Sequence, residues 1–163
     1  MQKELAHFLK THYGQENFKP GLERLKPVFK SLIIWAKDCR AVTIAGTNGK
    51  GECALALNLF LSQQNYKTAL WTSPHIQCVT ERFCYAGKNI DSSELLDLFK
   101  RAHNEVKQHS LSYYEFLFYC FLRGAKERNL KTLILEVGLG GLYDAVNLLD
   151  AEGVCVTSIS RDH

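Results

Sequence analysis

The stretch Ala41–Lys50, AVTIAGTNGK, joins a short apolar, β-branched run to a glycine-rich turn, and a helical pattern begins immediately after it. In such a turn the backbone N–H groups and the positive end of the helix dipole face an anion. Lys50 adds a full positive charge at the mouth of the helix. The stretch therefore predicts a buried strand followed by a phosphate-binding turn, residues 46–50, which we call the phosphate loop.

The strict P-loop pattern is not met, because Ile44 stands where that pattern has its first Gly and Gly51 stands where it has Ser or Thr. The context of strand, glycine turn, lysine and helix is nevertheless present. The alternative interpretation is an ordinary β–α turn that happens to contain a lysine.

Composition and charge are those of one ordinary globular domain. The chain has 163 residues, of which 46% are hydrophobic and 23% are charged. Its 20 basic and 17 acidic residues form no basic stripe, so they do not indicate a nucleic-acid partner. The absence of a long apolar run and of a signal peptide predicts a cytoplasmic protein with no membrane partner. Six scattered cysteines without a C-x-x-C pair favour reduced, mostly buried thiols and argue against zinc.

Hydrophobic periodicity predicts helices that alternate with strands, and therefore an α/β fold with a doubly wound, mainly parallel sheet. In the helix after the phosphate loop, apolar Leu55, Leu59 and Phe60 recur at helical spacing. The last two predicted strands are nearly all apolar, which is typical of strands covered on both faces. We predict strands at 41–45, 67–71, 133–137 and 154–159, helices at 3–12, 21–36 and 51–64, two more helices that begin at Asp91 and Ser112, and a small hairpin at 82–90 on the side of the sheet.

Polar residues follow or close each predicted parallel strand. Lys50 follows the first strand, Ser73 the second, Glu136 closes the third, and Asp162 and His163 follow the fourth. Ligands of such sheets bind beyond the carboxyl ends of the strands. Because Mg²⁺ prefers oxygen ligands and keeps several waters, a few of these groups with phosphate oxygens suffice for a magnesium site. Taken singly, each residue also has a structural explanation, such as a turn at Ser73 or a chain end at His163.

Five ordered segments resemble the folylpolyglutamate synthase/dihydrofolate synthase family, which belongs with the ATP-dependent Mur peptide ligases. They are VTIAGTNGKGE (42–52), LWTSPH (70–75), YYEF (113–116), LEVGLGGLYDAVN (135–147) and SISRDH (158–163), and GLERL (21–25) matches as well. The resemblance covers essentially the whole chain. It implies the P-loop NTPase-like architecture of the Mur ligase central domain, incomplete here, with ATP and Mg²⁺ as cofactors.

The resemblance also implies roles for individual residues. Lys50 would be catalytic. Residues that hold the ATP phosphates would be Gly46, Thr47, Asn48, Gly49, Lys50, Gly51 and Glu52. Metal ligands would be Ser73, Glu136 and His163. Contacts to a pterin-bearing substrate would come from Gly21, Leu22, Ser112, Tyr113, Tyr114, Glu115, Tyr143, Asp144 and Ala145. Ser112 and Glu115 also form a predicted helix capping box, and the two roles are compatible.

Several positions depart from the family pattern. Glu52 replaces a Ser in the phosphate-binding segment, and a carboxylate about 5 Å from a phosphate costs roughly 3 kcal/mol at an effective dielectric constant near 20. Leu142 replaces an Arg and so removes a bidentate anion contact. The remaining departures are Val146 for Thr, Ser160 for Gly, and Lys19-Pro20 for Asp-Leu.

Family members are much longer than this chain. We therefore expect residues 1–163 to be the N-terminal part of an ATP-binding ligase domain, without the rest of the sheet and without the C-terminal glutamate-binding domain. The implied reaction adds L-glutamate to dihydropteroate or to a folate through an acyl phosphate, with the missing C-terminal half as a partner. The isolated chain is expected to be inactive.

Two other interpretations remain open at this point. Glu52, Leu142 and the short length favour a non-catalytic relative that only binds nucleotide or pterin. A generic P-loop phosphotransferase is the third interpretation, and the LEVGLGG and SPH segments argue against it.

Overall fold

The structure is a computed structural model that describes residues 1–14 and 21–160. The helices are α1 (Gln2–Tyr13), α2 (Lys26–Ala36), α3 (Lys50–Gln63), α4 (Ser92–Val106) and α5 (Tyr113–Glu127). The strands are β1 (Arg40–Ala45), β2 (Thr68–Trp71), β3 (Phe83–Tyr85), β4 (Lys88–Asn89), β5 (Thr132–Glu136) and β6 (Gly153–Val156). In these two ranges, no helix combines the length and apolarity needed to cross a membrane.

The six strands form one sheet in the order β4-β3-β2-β5-β1-β6. Strands β1, β2, β5 and β6 run parallel, while β3 and β4 form an antiparallel hairpin beside β2. The predicted doubly wound, mainly parallel sheet and the hairpin at its side are confirmed. Because β2, β5 and β1 are adjacent and parallel, the residues that follow them meet at one edge of the sheet.

The two faces of the sheet are covered very differently. On one face, which we call the closed face, α5 packs on the strands and α1, α2 and α4 surround α5. Its core contains a cluster of aromatic rings, in which Trp71 lies 5.5 Å from Phe121 and 5.6 Å from Phe118 between ring centroids. The opposite face, which we call the open face, is covered by α3 over a small buried cluster that includes Ile44, Leu70 and Ile134.

The helix α3 turns a different side to the sheet than its largest apolar residues suggest. Leu55, Leu59 and Phe60 are 50%, 55% and 60% exposed, whereas Ala54 and Asn58 are buried. The Asn58 Oδ1 atom accepts a hydrogen bond of 2.5 Å from Thr68 Oγ1, so a polar pair occupies the helix–sheet contact. An apolar residue at helical spacing therefore does not identify the buried side of this helix.

The last strand also differs from its prediction. It spans Gly153–Val156 instead of 154–159, and it is an edge strand paired with β1 alone. Val154 is 65% exposed, so the expectation of a strand covered on both faces is wrong for the described residues. The strand ends early because Thr157 and Ser158 hydrogen-bond to the phosphate loop.

The helix starts follow local chemistry. α2 begins at Lys26, with a proline in its first turn, rather than at Gly21, which has a φ of 99°. The start signals at Asp91 and Ser112 are confirmed, since Asp91 accepts from Ser93 N and Ser112 forms a capping box with Glu115.

The six cysteines are free thiols, and four of them are buried, as predicted.

Candidate functional site

The phosphate loop connects β1 to α3 by a sharp turn. Gly49 precedes α3 with a φ of 81°, in the left-handed region that favours glycine, and Lys50 is the first helical residue. The Lys50 Nζ atom donates a hydrogen bond of 3.0 Å to the carbonyl oxygen of Thr47. The ammonium group is thereby folded back over the loop, beside the N-terminus of α3.

The chain after β6 holds this loop in place. Thr157 Oγ1 donates to the Asn48 carbonyl oxygen at 2.7 Å, and Thr47 N donates to the Ser158 carbonyl oxygen at 2.6 Å. A Cβ atom on Gly46 would lie 2.1 Å from Thr157 Oγ1, so only glycine fits there. The sequence analysis did not predict that Thr157 and Ser158 hold the phosphate loop. Two hydroxyl residues directly after an apolar run were the available signal.

Ser73 and Glu136, from the ends of β2 and β5, are brought into contact. The backbone N–H of Ser73 donates to Glu136 Oε2 at 2.9 Å. Ser73 Oγ is buried and has no hydrogen-bond partner among the described residues. Glu136 also faces the start of α3, because a methyl group on Gly51 would lie 3.5 Å from Glu136 Oε1. A hydroxyl oxygen and a carboxylate thus lie beside the phosphate loop.

The charges around Glu136 reflect this position. Burial raises the pKa of the Glu136 carboxyl group, and the N–H of Ser73 and the charge of Lys50 oppose that rise. The carboxylate of Glu52, which is exposed in the first turn of α3, raises it further. A cation at this position would stabilise the ionised Glu136 and would offset the repulsion from Glu52.

The donor set fits a magnesium ion. The hydroxyl of Ser73 is an oxygen donor without another partner among the described residues, and the Glu136 carboxylate is a second hard oxygen donor. Across the part of the chain that the structure describes, no three His, Cys, Asp or Glu side chains lie close enough to form a metal site by themselves. The third predicted ligand, His163, lies outside the described residues, as does Asp162.

The loop after β2 is fixed by a carboxylate that sequence analysis missed. Glu81 accepts hydrogen bonds from the backbone N–H groups of Ile76, Gln77 and Cys78 at 2.8–2.9 Å. These bonds, with that from Ile76 the largest cause, lower the pKa of Glu81. The loop that carries Ser73 is therefore anchored at its far end. The signal was the acidic residue three positions after Cys78, at the start of a short helical turn.

The predicted substrate segment at the start of α5 is largely buried. Ser112 N donates to Glu115 Oε2 at 2.7 Å, and Arg24 forms a salt bridge with Glu115 Oε1. Arg24 also donates to the carbonyl oxygen of Ser110 at 3.2 Å. The segment containing Gly21 and Leu22 is therefore held next to the start of α5, because these residues lie directly before Arg24.

The second predicted substrate segment contains a buried carboxylate with many donors. Asp144 accepts from Gly138 N at 2.8 Å, from Val146 N at 3.0 Å and from the Tyr114 hydroxyl at 3.1 Å. Tyr114 OH in turn accepts from Trp71 Nε1 at 3.1 Å. Burial raises the pKa of Asp144, and the backbone hydrogen bonds oppose that rise. In this structure Asp144 holds the 138–146 loop against α5.

The remaining predicted substrate residues divide by exposure. Ala145 is buried, Tyr113 is half-buried and Tyr143 is 54% exposed. Leu142, which stands where an Arg was expected, is 74% exposed and lies beside Tyr143 in the chain. Tyr143 is thus the residue of this segment with a ring available to a ligand. The substrate-binding roles stay predictions.

Comparison with known proteins gives a consistent set of relatives, although no protein-family model matches the chain. The chain is 37% identical over 143 residues to the dihydrofolate synthase/folylpolyglutamate synthase of Escherichia coli (strain K12), which covers 88% of this chain and 34% of that protein. A solved structure of E. coli FolC in complex with DHPP and ADP superposes with a TM-score of 0.89 at 33% identity, over 99% of this chain and 39% of that one.

A further solved structure is the bifunctional folylpolyglutamate synthase/dihydrofolate synthase from Yersinia pestis, complexed with AMPPNP and Mn ion. It matches with a TM-score of 0.83 at 33% identity, over 99% of this chain and 39% of that chain. The chain spans about a third of the length of the curated relatives it matches.

Proposed function

The chain belongs to the dihydrofolate synthase/folylpolyglutamate synthase family, and we propose that it is the nucleotide-binding part of an ATP-dependent ligase that adds L-glutamate to dihydropteroate or to a folate. The observation that carries this proposal is the buried, unpartnered hydroxyl of Ser73 beside the carboxylate of Glu136, next to the phosphate loop. Relatives of the same fold were solved with ADP, and with AMPPNP and Mn.

In this proposal the phosphates of ATP lie on the phosphate loop and the N-terminus of α3. Lys50 leaves its bond to the Thr47 carbonyl oxygen and places its charge against the phosphates. Ser73 and Glu136 would hold Mg²⁺, with His163 as a third ligand. The bound ion would supply charge neutralisation on the phosphate oxygens.

The proposed reaction transfers the γ-phosphoryl group of ATP to the substrate carboxylate. The amine of L-glutamate then attacks the acyl phosphate and displaces phosphate. Lys50 offsets charge that develops on the transferred group. Tyr143 is available to contact the pterin-bearing substrate, since its side chain is exposed and the neighbouring Asp144 holds its loop.

This chain matches about a third of the relatives' length, and we propose that the reaction also needs the polypeptide that corresponds to the other two thirds. We place its contact at the outer edge of β6, which pairs with no other described strand, and at the exposed Val154 and Val156. An unpaired, apolar edge strand is a template for a further strand of the same sheet. On this proposal, residues 1–163 bind nucleotide but form no product at a useful rate without that polypeptide, since holding the reacting groups together in the right geometry can contribute ~7–11 kcal/mol.

Calorimetric titration with ATP at fixed Mg²⁺ tests the nucleotide site. Replacing Ser73 with Ala removes a hydroxyl that has no partner in the described structure, so we expect a folded protein with at least tenfold weaker Mg²⁺-dependent binding. The matched control is Ser31→Ala, an exposed serine on α2. Equal affinities for the two variants would remove Ser73 from the site.

A second candidate function is a non-catalytic protein that binds nucleotide or pterin only. It is favoured by Glu52, an exposed acidic residue in the first turn of α3, directly after the phosphate loop, and by the apolar Leu142. The two candidates are separated by incubating the chain with ATP, Mg²⁺, radiolabelled glutamate and dihydropteroate or tetrahydrofolate, with and without the C-terminal two thirds of a family enzyme. Labelled product that forms only with the added polypeptide supports the ligase. Nucleotide binding without labelled product, both with and without that polypeptide, supports the non-catalytic binding protein.

A further inference from the structure

Two cysteines that are far apart in the sequence lie side by side next to the phosphate loop. Cys53 is in the first turn of α3 and Cys155 is in β6, and their Sγ atoms are 3.8 Å apart. The predicted site does not use either thiol. Because 102 positions separate them, no local sequence pattern reveals the pair.

Both positions are fixed by the backbone. Cys53 N donates to the Gly49 carbonyl oxygen at 3.0 Å, so its position follows the end of the phosphate loop. Cys155 pairs in register with Ile44, whose side chain belongs to the cluster under α3, and this register directs Cys155 to the open face. The sulfur atoms thus face each other across the gap between α3 and the edge strand.

The pair is also accessible, unlike the other thiols. Cys155 is exposed and Cys53 is half-buried. The other four cysteines, which serve below as internal references, are buried: Cys39, Cys78, Cys84 and Cys120. The greater exposure of Cys53 and Cys155 predicts that reagents in solution reach these two thiols first.

We propose that Cys53 and Cys155 are a redox modification site that closes to a disulfide on exposure to a peroxide and reopens with a thiol reductant. The sulfur atoms need to approach by about 2 Å, since a disulfide bond is about 2 Å long. The bond ties the first turn of α3 to β6. Since Thr157 and Ser158 follow β6 and hold the phosphate loop, the bond fixes both supports of that loop.

The chemistry balances with hydrogen peroxide as the oxidant. The more exposed thiolate, that of Cys155, attacks one peroxide oxygen, which gives a sulfenic acid and, after protonation of the hydroxide that leaves, water. The sulfur of Cys53 then attacks the sulfenic sulfur, forms the S–S bond and expels hydroxide, which takes the thiol proton to give a second water. Two thiols lose two electrons and two protons, and one peroxide gains them. The hydrogen bond with Cys155 raises the pKa of Cys53.

The test is mass spectrometry of the chain after limited hydrogen peroxide treatment, followed by alkylation and proteolysis without reductant. We expect a mass loss of two hydrogens, one cross-linked peptide pair containing Cys53 and Cys155, and full reversal by dithiothreitol. The four buried cysteines should be alkylated only after denaturation. Neither step requires nucleotide, so failure here is distinct from failure of the proposed ligase function.

Variants make the result decisive. Cys53→Ser should stop at a sulfenic acid on Cys155 that dimedone traps, and Cys155→Ser should leave Cys53 a thiol under the same treatment. A Cys155-linked dimer as the main oxidation product would overturn the proposal, because it would show that Cys155 reacts with another molecule faster than with Cys53. A stable sulfenic acid in the unaltered chain would overturn it as well.

Discussion

The same strands separate the closed face of the sheet from the open face, but the two faces are covered very differently. On the closed face, four helices bury a continuous core of aromatic and aliphatic side chains. On the open face, α3 covers a cluster of five buried residues and leaves Leu55, Leu59 and Phe60 exposed. Buried apolar area stabilises a fold roughly in proportion to its size, so the closed face supplies most of the stability.

The comparison separates stability from chemistry. The phosphate loop, Ser73, Glu136 and the cysteine pair lie at the edge of the sheet and on the open side, where few apolar contacts are made. Hydrogen bonds hold the loops there: Thr157 donates to the Asn48 carbonyl oxygen, and Glu81 accepts from backbone N–H groups of the loop after β2. A ligand that binds this edge therefore contributes stability that the fold itself does not provide.

The largest expected effect is on the closed face. Phe121 is fully buried and its ring lies 5.5 Å from that of Trp71, so Phe121→Ala should lower the free energy of unfolding by roughly 3–5 kcal/mol. The control is the same change at Phe60, which is 60% exposed on the open side and should cost less than about 1 kcal/mol. Urea denaturation of both variants measures this. Similar losses would show that the open side carries a core of its own.

The next effect is on ligand-dependent stability. At a nucleotide concentration of about 100 times Kd, Mg-ATP should raise the free energy of unfolding by roughly 2.7 kcal/mol, and Glu136→Gln should remove most of that gain. Thermal melts with and without Mg-ATP report it, with Glu152→Gln as the control because that carboxylate is exposed at the start of β6. An unchanged shift in Glu136→Gln would exclude Glu136 from the magnesium site.

A smaller effect concerns the phosphate loop itself. Glu52→Ser should strengthen Mg-ATP binding by roughly tenfold, because the exposed carboxylate repels the phosphates. Water and salt screen part of this repulsion, which keeps the effect small. Glu4→Ser makes the same charge change in the first turn of α1 and should leave the affinity unaltered. Titration calorimetry compares the two variants. Weaker binding by Glu52→Ser would identify Glu52 as a cation ligand.

Much of the fold and part of the candidate site could be predicted from the sequence. The order of strands and helices followed from periodicity, and the edge placement of Ser73 and Glu136 followed from parallel topology, because both depend on local patterns. The caps at Asp91 and Ser112 were readable for the same reason. The likeness to relatives added the family, which periodicity alone does not supply.

What the sequence did not reveal depends on contacts between distant segments. The inner side of α3 consists of Ala54, Leu57 and Leu61 with the pair of Asn58 and Thr68 among them, while the equally apolar Leu55 and Leu59 are exposed. The early end of β6 depends on Thr157 reaching Asn48, and the cysteine pair depends on the β1–β6 register. No window of neighbouring residues contains this information.

The smallest effects are on pH dependence, and they have opposite signs at the two ends of the loop after β2. Burial raises the pKa of Glu136 above its ordinary value of 4.5, so its contribution to stability is present below that value and is lost as pH rises through the folded pKa. Without nucleotide, Glu136→Gln should therefore match the unaltered chain near pH 4 and exceed its stability at pH 7.

Glu81 should behave in the reverse way. The N–H groups of Ile76, Cys78 and Gln77 lower its pKa, so its contribution is present above 4.5 and is lost as pH falls through the folded pKa. Glu81→Gln should be less stable than the unaltered chain at pH 7, and the difference should vanish on acidification. Urea denaturation of both variants at several values from about pH 2 to pH 8 measures the two slopes. The two variants should differ from the unaltered chain with opposite dependence on pH. The same dependence for both would contradict the assignment of opposite pKa shifts to Glu136 and Glu81. A destabilised Glu136→Gln at pH 7 would mean that the charge of Lys50 outweighs the cost of burying Glu136.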